Sequence, residues 1–196
     1  MEFQETVLKR RMVRNFADKP VDPEVVNRIV ELTRHAPSAG FTQGQSFIVV
    51  TEPEIKKAVA DTCGEEGYVR AGFAPFISKA PVLLIPCTSE AAYHRRYRQP
   101  DKLRPDGTEI EWPVPYWFMD IGCAVMIALL AAVDEELVAA YAGSQDLKAL
   151  RSVLDILEEV TPVGVIPVGY RAPDKPSPSL KRGRKPDAEY VHYEGW

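Results

Sequence analysis

The 196-residue sequence is poor in the residue types that hold metal ions or form disulfide bonds. It has only three cysteines and three histidines, and it contains no CxxC pair. The cysteines are Cys63, Cys87 and Cys123. An odd number of widely separated cysteines is typical of small buried thiols in a reducing compartment. The histidines have no metal-ligand spacing either, so we expect neither a disulfide framework nor a bound metal.

The sequence also lacks an excess of positive charge and a long apolar run. Lysine and arginine number 24 against 28 acidic residues, and the net charge is −4. This balance provides no general attraction for nucleic acid. The most apolar stretch, residues 122–133, is shorter than the roughly 20 residues that cross a bilayer. The first residues do not resemble a secretory signal. We expect a cytoplasmic protein that binds neither nucleic acid nor membranes.

Three catalytic motifs are missing as well. The sequence has no GxSxG, no GxxxxGK[ST] and no GxGxxG. Their absence gives no indication of a serine nucleophile elbow, a P-loop or a dinucleotide-binding βαβ unit. We therefore name no catalytic residue of the nucleophile or acid–base kind.

What is present is an ordinary globular composition, 45% hydrophobic and 27% charged. Residues 1–196 are predicted to form a single α+β domain, since this length can bury a sizeable core. Apolar periodicity and helix-capping residues predict helices and buried strands. The helices are expected at 2–14, 23–36, 53–63, 116–133 and 146–157, and the strands at 46–52, 80–88 and 161–171. Asp22 and Pro23 have the sequence of a helix start.

Two further segments are polar or rich in proline. Residues 89–115 are polar, aromatic and interrupted by proline, and we expect a long ordered excursion at the active site or dimer surface rather than a core element. Residues 172–196 are predicted to form a C-terminal arm.

Two basic clusters lie at opposite ends of the chain. The first is "RRMVRNF" at residues 10–16, and the second is "KRGRK" at residues 181–185. A phosphate monoester is usually bound by two or more cations, preferably arginines that donate paired hydrogen bonds. On a helix the three arginines of the first cluster would lie on one side. If the tail folds back over them, the two clusters could meet at one phosphate; otherwise each is a solvated surface.

The segment "HAPSAGFTQGQSF" at residues 35–47 places small polar side chains and glycines between a helix and a buried strand. Such a loop could hold a flat polar ligand through its backbone donors. A capped helix end followed by a turn explains the same residues equally well, and composition does not separate the two interpretations.

Taken in order, these segments resemble the nitroreductase family of flavin oxidoreductases. Its members begin with Arg-Arg-Ser-x-Arg-x-Phe, followed by a helix and then Ala-Pro-Ser-x-x-Asn-x-Gln before a strand. "YWFMDIGCAVMIALLAAV" resembles the central dimer helix of the family, and "PVGVIPVGYRAPD" with "KRGRKP" resembles its closing strand and basic tail. The resemblance covers most of the chain.

The resemblance implies a three-layer α-β-α fold with a mixed central sheet, an interwoven homodimer and one FMN per subunit. It also implies two-electron reduction by NADH or NADPH, in which the flavin transfers the hydride. Gly143 corresponds to a glycine whose backbone N–H faces the reactive nitrogen of the flavin. The positions that the resemblance implies as FMN contacts are Arg10, Arg11, Met12, Arg14, Pro37, Ser38, Ala39, Thr42, Gln43, Ala142, Gly143, Arg182 and Arg184.

The sequence departs from the family pattern at several places. Met12 stands for the usual serine, Phe41 for asparagine, Gly44-Gln45 for Pro-Trp, and Glu136 for glycine. These changes leave the cationic positions in place and bear mainly on the substrate. The residues that we expect to contact the electron acceptor are Phe41, Tyr97, Trp112 and Tyr116.

The resemblance leaves three functions open. The first is an FMN-dependent enzyme that uses NAD(P)H to reduce nitroaromatics, quinones or a related acceptor. The second is a protein that stores or breaks down reduced FMN. The third is an interaction protein without a cofactor, in which the basic clusters are only solvated. Flavin binding and its bleaching by nicotinamide distinguish the three.

Overall fold

The computed structural model describes residues 2–196. Eight α-helices are found there, and their bounds are α1 Phe3–Lys9, α2 Pro23–Thr33, α3 Pro53–Thr62, α4 Glu65–Arg70, α5 Glu90–Tyr97, α6 Tyr116–Asp134, α7 Leu147–Val153 and α8 Asp187–Tyr190. The strands are β1 Gln45–Val50, β2 Val82–Thr88, β3 Val138–Ala139, β4 Thr161–Pro162 and β5 Ile166–Gly169. Two 3₁₀ turns cover Ala39–Phe41 and Pro178–Arg182.

The five strands form one sheet around β2. The order is β1-β2-β5-β3, and β4 pairs with the end of β2. Every pairing between these strands is antiparallel, while Met12 adds a single parallel bridge to Ala139 of β3. All seven residues of β2 are buried. This is expected of a strand with neighbours on both sides and helices over both faces.

Helices cover both faces of the sheet and complete the predicted α+β fold in three layers. Side chains alternate along β2, so that Val82 and Leu84 pack with α2 and α6. Leu83 and Ile85 point to the other face, where they pack with α3 and α7. The alternation divides the core into two apolar clusters, one on each side of the sheet.

Helix α6 is the central helix, as predicted. It is 19 residues long, and its buried positions include Ile121, Ala124 and Ala128. The helix begins at Tyr116 as predicted, but the expectation that no segment is long enough to cross a bilayer is wrong by length and composition, because the apolar window is longer than residues 122–133. Half of the apolar window is buried inside the protein, as in the core helix of a folded domain.

The predicted helix 2–14 is wrong beyond Lys9. Arg10 has extended backbone angles, φ −56° and ψ 125°. The chain then runs beside β3, where Val13 N donates to Ala139 O at 3.1 Å. Phe16 forms a further bridge to Arg171. Val13 and Phe16 are thereby buried, and this burial outweighs the helical tendency of the segment. The arginines do not share a helix face.

Most other predicted elements are confirmed within a few residues. The Asp22 carboxylate accepts a hydrogen bond from Glu24 N at 2.8 Å and caps α2, with Pro23 in its first turn. Helix α7 ends at Val153, before the predicted end at 157, since Asp155 has a positive φ of 48°. The predicted strand 161–171 is divided into β4 and β5.

Two expectations from the sequence need correction. Residues 89–115 do contribute to the core, because they include α5 and the fully buried ring of Tyr93. Cys63 and Cys87 are buried as expected, and burial raises the pKa of each thiol to about 11. Cys123, however, is exposed on the open face of α6.

Candidate functional site

Arg10 follows the end of α1 and has an unusual environment. Its Nη1 atom is buried and has no hydrogen-bond partner among the described residues. A buried guanidinium nitrogen without an acceptor is costly. The arrangement therefore favours an anionic group, supplied from outside the chain, against this nitrogen.

The other two arginines of the cluster are held by the chain itself. Arg11 Nη1 donates to the carbonyls of Leu8 and Arg10. The Arg14 guanidinium carbon lies 5.4 Å from the centroid of the Phe73 ring, within the usual range for a cation–π contact. Its planar face is therefore occupied, while neither arginine makes an ion pair with an acidic side chain of residues 2–196.

The beginning of the C-terminal arm is fixed beside this segment. Arg14 N donates to Asp174 Oδ2 at 2.9 Å, and Asn15 Nδ2 donates to Pro173 O at 2.7 Å. Lys175 Nζ donates to Ala71 O at 3.0 Å. Residues 178–196 of the arm are exposed.

Arg182 and Arg184 lie in that exposed part. The structure of residues 2–196 shows no hydrogen bond, ion pair or ring contact from either guanidinium. Both guanidiniums are therefore available for a ligand or a second chain.

The segment after β3 leaves Gly143 in open space. Ala142 is buried and bonded to Val165 in both directions, and Thr62 O accepts from Gln145 N at 2.8 Å and from Ser144 Oγ at 3.2 Å. Gly143 is exposed, and a Cβ added there would meet no atom within 4 Å. A flat group can approach this backbone without displacing any side chain.

Residues 37–44, which we call the Ser38 loop, form a compact turn. Ser38 Oγ accepts from Gln43 N at 3.0 Å, and Thr42 Oγ1 donates to Ala39 O at 2.6 Å. Ala39 N donates to Asp120 Oδ2 of α6 at 2.8 Å. The hydroxyls of Ser38 and Thr42 are thus engaged within the loop. Pro37 also lies here, and its carbonyl accepts from the Gln45 side chain at 3.0 Å.

The predicted acceptor-contacting residues are only partly brought together. Tyr97 and Trp112 pack edge to face with centroids 4.6 Å apart, and Trp112 lies 6.1 Å from Tyr116. Phe41 stays outside this cluster, with 76% of its surface exposed. The Tyr97 ring lies directly against Gly40, where an added Cβ would be 2.7 Å from Cε2. The cluster therefore borders the Ser38 loop.

Residues 98–115, which we call the cover segment, are tied to α5 by Glu109. This carboxylate accepts from Trp112 Nε1 at 2.7 Å and from Arg98 Nε at 2.8 Å, and it lies within hydrogen-bond distance of His94 Nδ1. Burial raises the pKa of Glu109, but the bonds from Trp112, His94 and Arg98 outweigh it and lower the pKa to about 2.

Glu109→Gln is expected to destabilise the protein at neutral pH and not in strong acid. The folded-state pKa is below the ordinary 4.5, so the ionised carboxylate stabilises the fold above about pH 4.5 and this contribution is lost as pH falls towards 2. The variant should lose about 1–3 kcal/mol at pH 7. Urea unfolding from pH 7 to pH 2 measures the difference, and Glu111→Gln, an exposed neighbour, is the charge control. An equal deficit at every pH would contradict the assignment.

These features fit a phosphate-bearing flavin. The unpartnered Arg10 Nη1 suits an anion, and the open backbone at Gly143 suits a ring stacked without side-chain obstruction. Arg14 is a second cation near the same segment. The donors present are guanidinium, hydroxyl and backbone N–H groups, which are those that a phosphate and a flavin ring accept.

The sequence profile described as "Nitroreductase family" matches residues 7–170. The chain belongs to the nitroreductase family. The predicted family and its oxidoreductase class are thereby confirmed. The match spans the basic segment, the Ser38 loop, α6 and the sheet, and ends before the arm that carries Arg182 and Arg184.

Individual relatives of this nitroreductase differ in the activities that they are named for. It is 25% identical to an iodotyrosine deiodinase from Nematostella vectensis, over 92% of this chain and 71% of that protein. It is 27% identical to an FMN reductase [NAD(P)H] from Bacillus subtilis, over 98% of this chain and 74% of that one. A nitroreductase family protein from Streptococcus pneumoniae has the same fold, with a TM-score of 0.76 at 23% identity over 98% and 100% of the chains.

Sequence reasoning missed the contacts by which two residues, Asp120 and Arg96, hold the Ser38 loop. Asp120 bonds both Ala39 N and the Tyr93 hydroxyl, each at 2.8 Å. Arg96 bonds Gly40 O at 3.0 Å. Asp120 could have been recognised from the sequence, because it is the single charged residue between Tyr116 and Val133. Nothing in the sequence distinguishes Arg96 from its neighbours Arg95 and Arg98, which are of the same type.

Proposed function

We propose that this nitroreductase binds FMN and uses NADH or NADPH to reduce small aromatic acceptors such as nitroaromatics or quinones by two-electron transfer. The observation that carries the cofactor assignment is the buried Nη1 of Arg10, which has no acceptor within the described chain. The proposal takes residues 1–196 as a single nitroreductase-like domain in the cytoplasm, Met1 lying outside the described residues.

The chain's own residues would bind and orient the cofactor. Arg10 and Arg14 would contact its phosphate and ring edge, with Arg11 and Met12 on the same segment. Gly143 follows Ala142 and has no side chain within 4 Å of an added Cβ, and its N–H would donate to the ring. The remaining proposed contacts come from the Ser38 loop and the arm: Pro37, Ser38, Ala39, Thr42, Gln43, Arg182 and Arg184. When bound, FMN supplies the hydride-transfer chemistry that these side chains lack.

A homodimer is part of the proposal, because one chain leaves large apolar groups uncovered. On α6, Phe118, Met119 and Met126 are 46%, 54% and 46% exposed, and Phe3 of α1 is 75% exposed. Trp196 at the end of the arm is fully exposed. Contiguous apolar surface of this kind usually marks an interface. A second copy would cover it and could bring Arg182 and Arg184 to the cofactor.

The acceptor would lie beside Phe41 and the cluster of Tyr97, Trp112 and Tyr116. Aromatic side chains favour a planar acceptor through stacked and edge-to-face contacts. The similarity to an iodotyrosine deiodinase adds halogenated phenols to the acceptors that should be compared with nitroaromatics and quinones.

The deciding experiment is an anaerobic absorbance titration of the purified protein with FMN, followed by NADPH and NADH. We expect a bound flavin spectrum that bleaches with at least one nucleotide and recovers when an acceptor is added. Bound flavin that neither nucleotide bleaches would indicate storage or breakdown of flavin instead. A protein that binds no flavin after reconstitution would contradict the proposal.

A further inference from the structure

We propose that Arg96 is a positioning residue that locks the Ser38 loop to the cover segment, so that cofactor affinity and acceptor binding depend on one side chain. The inference rests on the proposed function for its consequences, while its structural content concerns the two segments themselves. Arg96 lies in the last turn of α5, directly before the cover segment.

The guanidinium of Arg96 divides its hydrogen bonds between the two segments. Nε donates to Gly40 O of the Ser38 loop at 3.0 Å. On the other side, Nη1 and Nη2 donate to the two carboxylate oxygens of Asp101 at 2.8 and 2.7 Å. Nη1 also donates to Gln99 Oε1 at 2.9 Å. This planar fork with fixed directions is a property of arginine that lysine does not share.

The Ser38 loop needs an external restraint because of its backbone. Gly40, Phe41 and Gln43 have φ values of 62°, 53° and 54°. Phe41 and Gln43 are not glycines, and left-handed conformations at such residues persist only when the surroundings hold them. Three side chains outside the loop bond its backbone: Gln45 holds the carbonyl of Pro37 at its start, Asp120 holds the amide of Ala39, and Arg96 holds the carbonyl of Gly40. Of these, only Arg96 bonds a residue with a positive φ.

The cover segment needs the same restraint for a different reason. Residues 98–115 contain no helix or strand. Their connections to α5 include the Glu109 carboxylate beside His94, the Trp112 ring against Tyr97 and the Asp101–Arg96 pair. The Arg96 side chain is only 23% exposed, whereas Asp101 is 61% exposed. The Arg96 hydrogen bond lowers the pKa of Asp101, which therefore stays ionised at neutral pH.

The two halves of this connection should have separable effects. Loss of the bond to Gly40 frees the loop that contributes Ser38, Thr42 and Gln43 to the cofactor. Loss of the bond to Asp101 frees the cover segment that borders the acceptor. Neither hydrogen bond, to Gly40 or to Asp101, involves a reacting atom. The acceptor KM should therefore change without a change in kcat.

The test compares four variants of the full-length protein. Arg96→Gln removes the bonds to both segments. Arg96→Lys keeps a cation for Asp101 but loses the Nε donor to Gly40 O, and Asp101→Ala removes only the ion pair with the cover segment. Arg95→Gln is the matched control, since it removes the same charge from the same helix, where Arg95 pairs with Glu159 at 3.6 Å. The measurements are FMN dissociation constants by fluorescence, acceptor KM and kcat with a quinone, urea unfolding, and hydrogen–deuterium exchange.

We expect Arg96→Gln to raise both the FMN dissociation constant and the acceptor KM by about tenfold. Arg96→Lys should weaken FMN alone, and Asp101→Ala should raise the acceptor KM alone, by about threefold. Exchange in residues 38–43 should accelerate in both Arg96 variants. The value of kcat should match that of Arg95→Gln, and the free energy of unfolding should fall by no more than about 1–3 kcal/mol, whereas a general structural defect would lower kcat as well.

Two results separate failure of this inference from failure of the proposed function. If wild-type protein binds FMN and Arg96→Gln behaves like Arg95→Gln in FMN affinity and exchange, the inference is overturned and the function stands. If wild-type protein binds no FMN, the proposed function is overturned, and hydrogen–deuterium exchange then tests the inference about Arg96 by itself. Faster exchange in residues 38–43 of Arg96→Gln than of Arg95→Gln then supports it, and equal exchange overturns it.

Discussion

Replacing Arg10 with glutamine is expected to weaken FMN binding about a hundredfold, which corresponds to about 2.7 kcal/mol. The reason is that Arg10 Nη1 is buried without a partner in the chain, so that a phosphate there would receive charge-assisted hydrogen bonds away from water. Such bonds contribute roughly 1.5–3 kcal/mol each. Fluorescence titration of the apoprotein with FMN measures the loss.

The same variant should not destabilise the apoprotein. A buried nitrogen without a partner contributes nothing to folding, and its removal relieves a desolvation cost. Urea unfolding without FMN should therefore give a free energy within about 0.5 kcal/mol of wild type, or higher. Arg34→Gln, at an exposed surface ion pair with Glu31, controls for the change in net charge. Unchanged FMN affinity, or a strongly destabilised apoprotein, would show that Arg10 has a structural role.

Replacing Tyr93 with alanine is expected to lower the free energy of unfolding by about 3–5 kcal/mol. Its ring is fully buried, and it packs against Trp112 and Trp117 with centroids 6.2 and 6.1 Å away. It also lies against Gly44, where an added Cβ would be 2.6 Å from Cε2. The cavity would open between α5, the Ser38 loop and α6. Urea denaturation at one fixed protein concentration measures the change.

Tyr93→Phe is the matched control for this prediction. It keeps the ring and removes the hydroxyl that donates to Asp120 at 2.8 Å. Burial is the main reason that the pKa of Tyr93 is raised, with the Asp120 bond next, so the hydroxyl stays protonated as a donor. Its loss should cost about 1–2 kcal/mol. If the alanine variant cost no more than the phenylalanine variant, the packing assigned to this ring would be wrong.

The fold was largely predictable where local pattern and tertiary environment agree. Helix α2 is specified by its Asp22 cap and Pro23, and β2 by a continuous apolar run that only a fully covered strand can carry. Helix α6 was predictable because its apolar surface extends around nearly the whole helix. In these elements each residue favours the conformation that the fold requires, so that local reasoning sufficed.

Prediction failed where a neighbour in space decides the conformation. The basic segment was expected to be helical through Arg14, but Val13 and Phe16 are buried by pairing with Ala139 and Arg171, which lie more than 120 residues away. Helix α5 was not predicted, because most of its residues are polar and Tyr93 is its buried side chain.

For the candidate site, the sequence by itself determined the family resemblance and the types of donor available: arginines near the start, small polar residues before β1, and glycine after β3. Only the tertiary structure decided which of these groups are free. The Arg11 guanidinium donates to the adjacent main-chain carbonyl of Arg10, and the Ser38 and Thr42 hydroxyls form hydrogen bonds inside their loop. Arg10 Nη1 is left buried without a partner. Whether a donor is free depends on contacts between segments distant in sequence, and local residue pattern does not encode them.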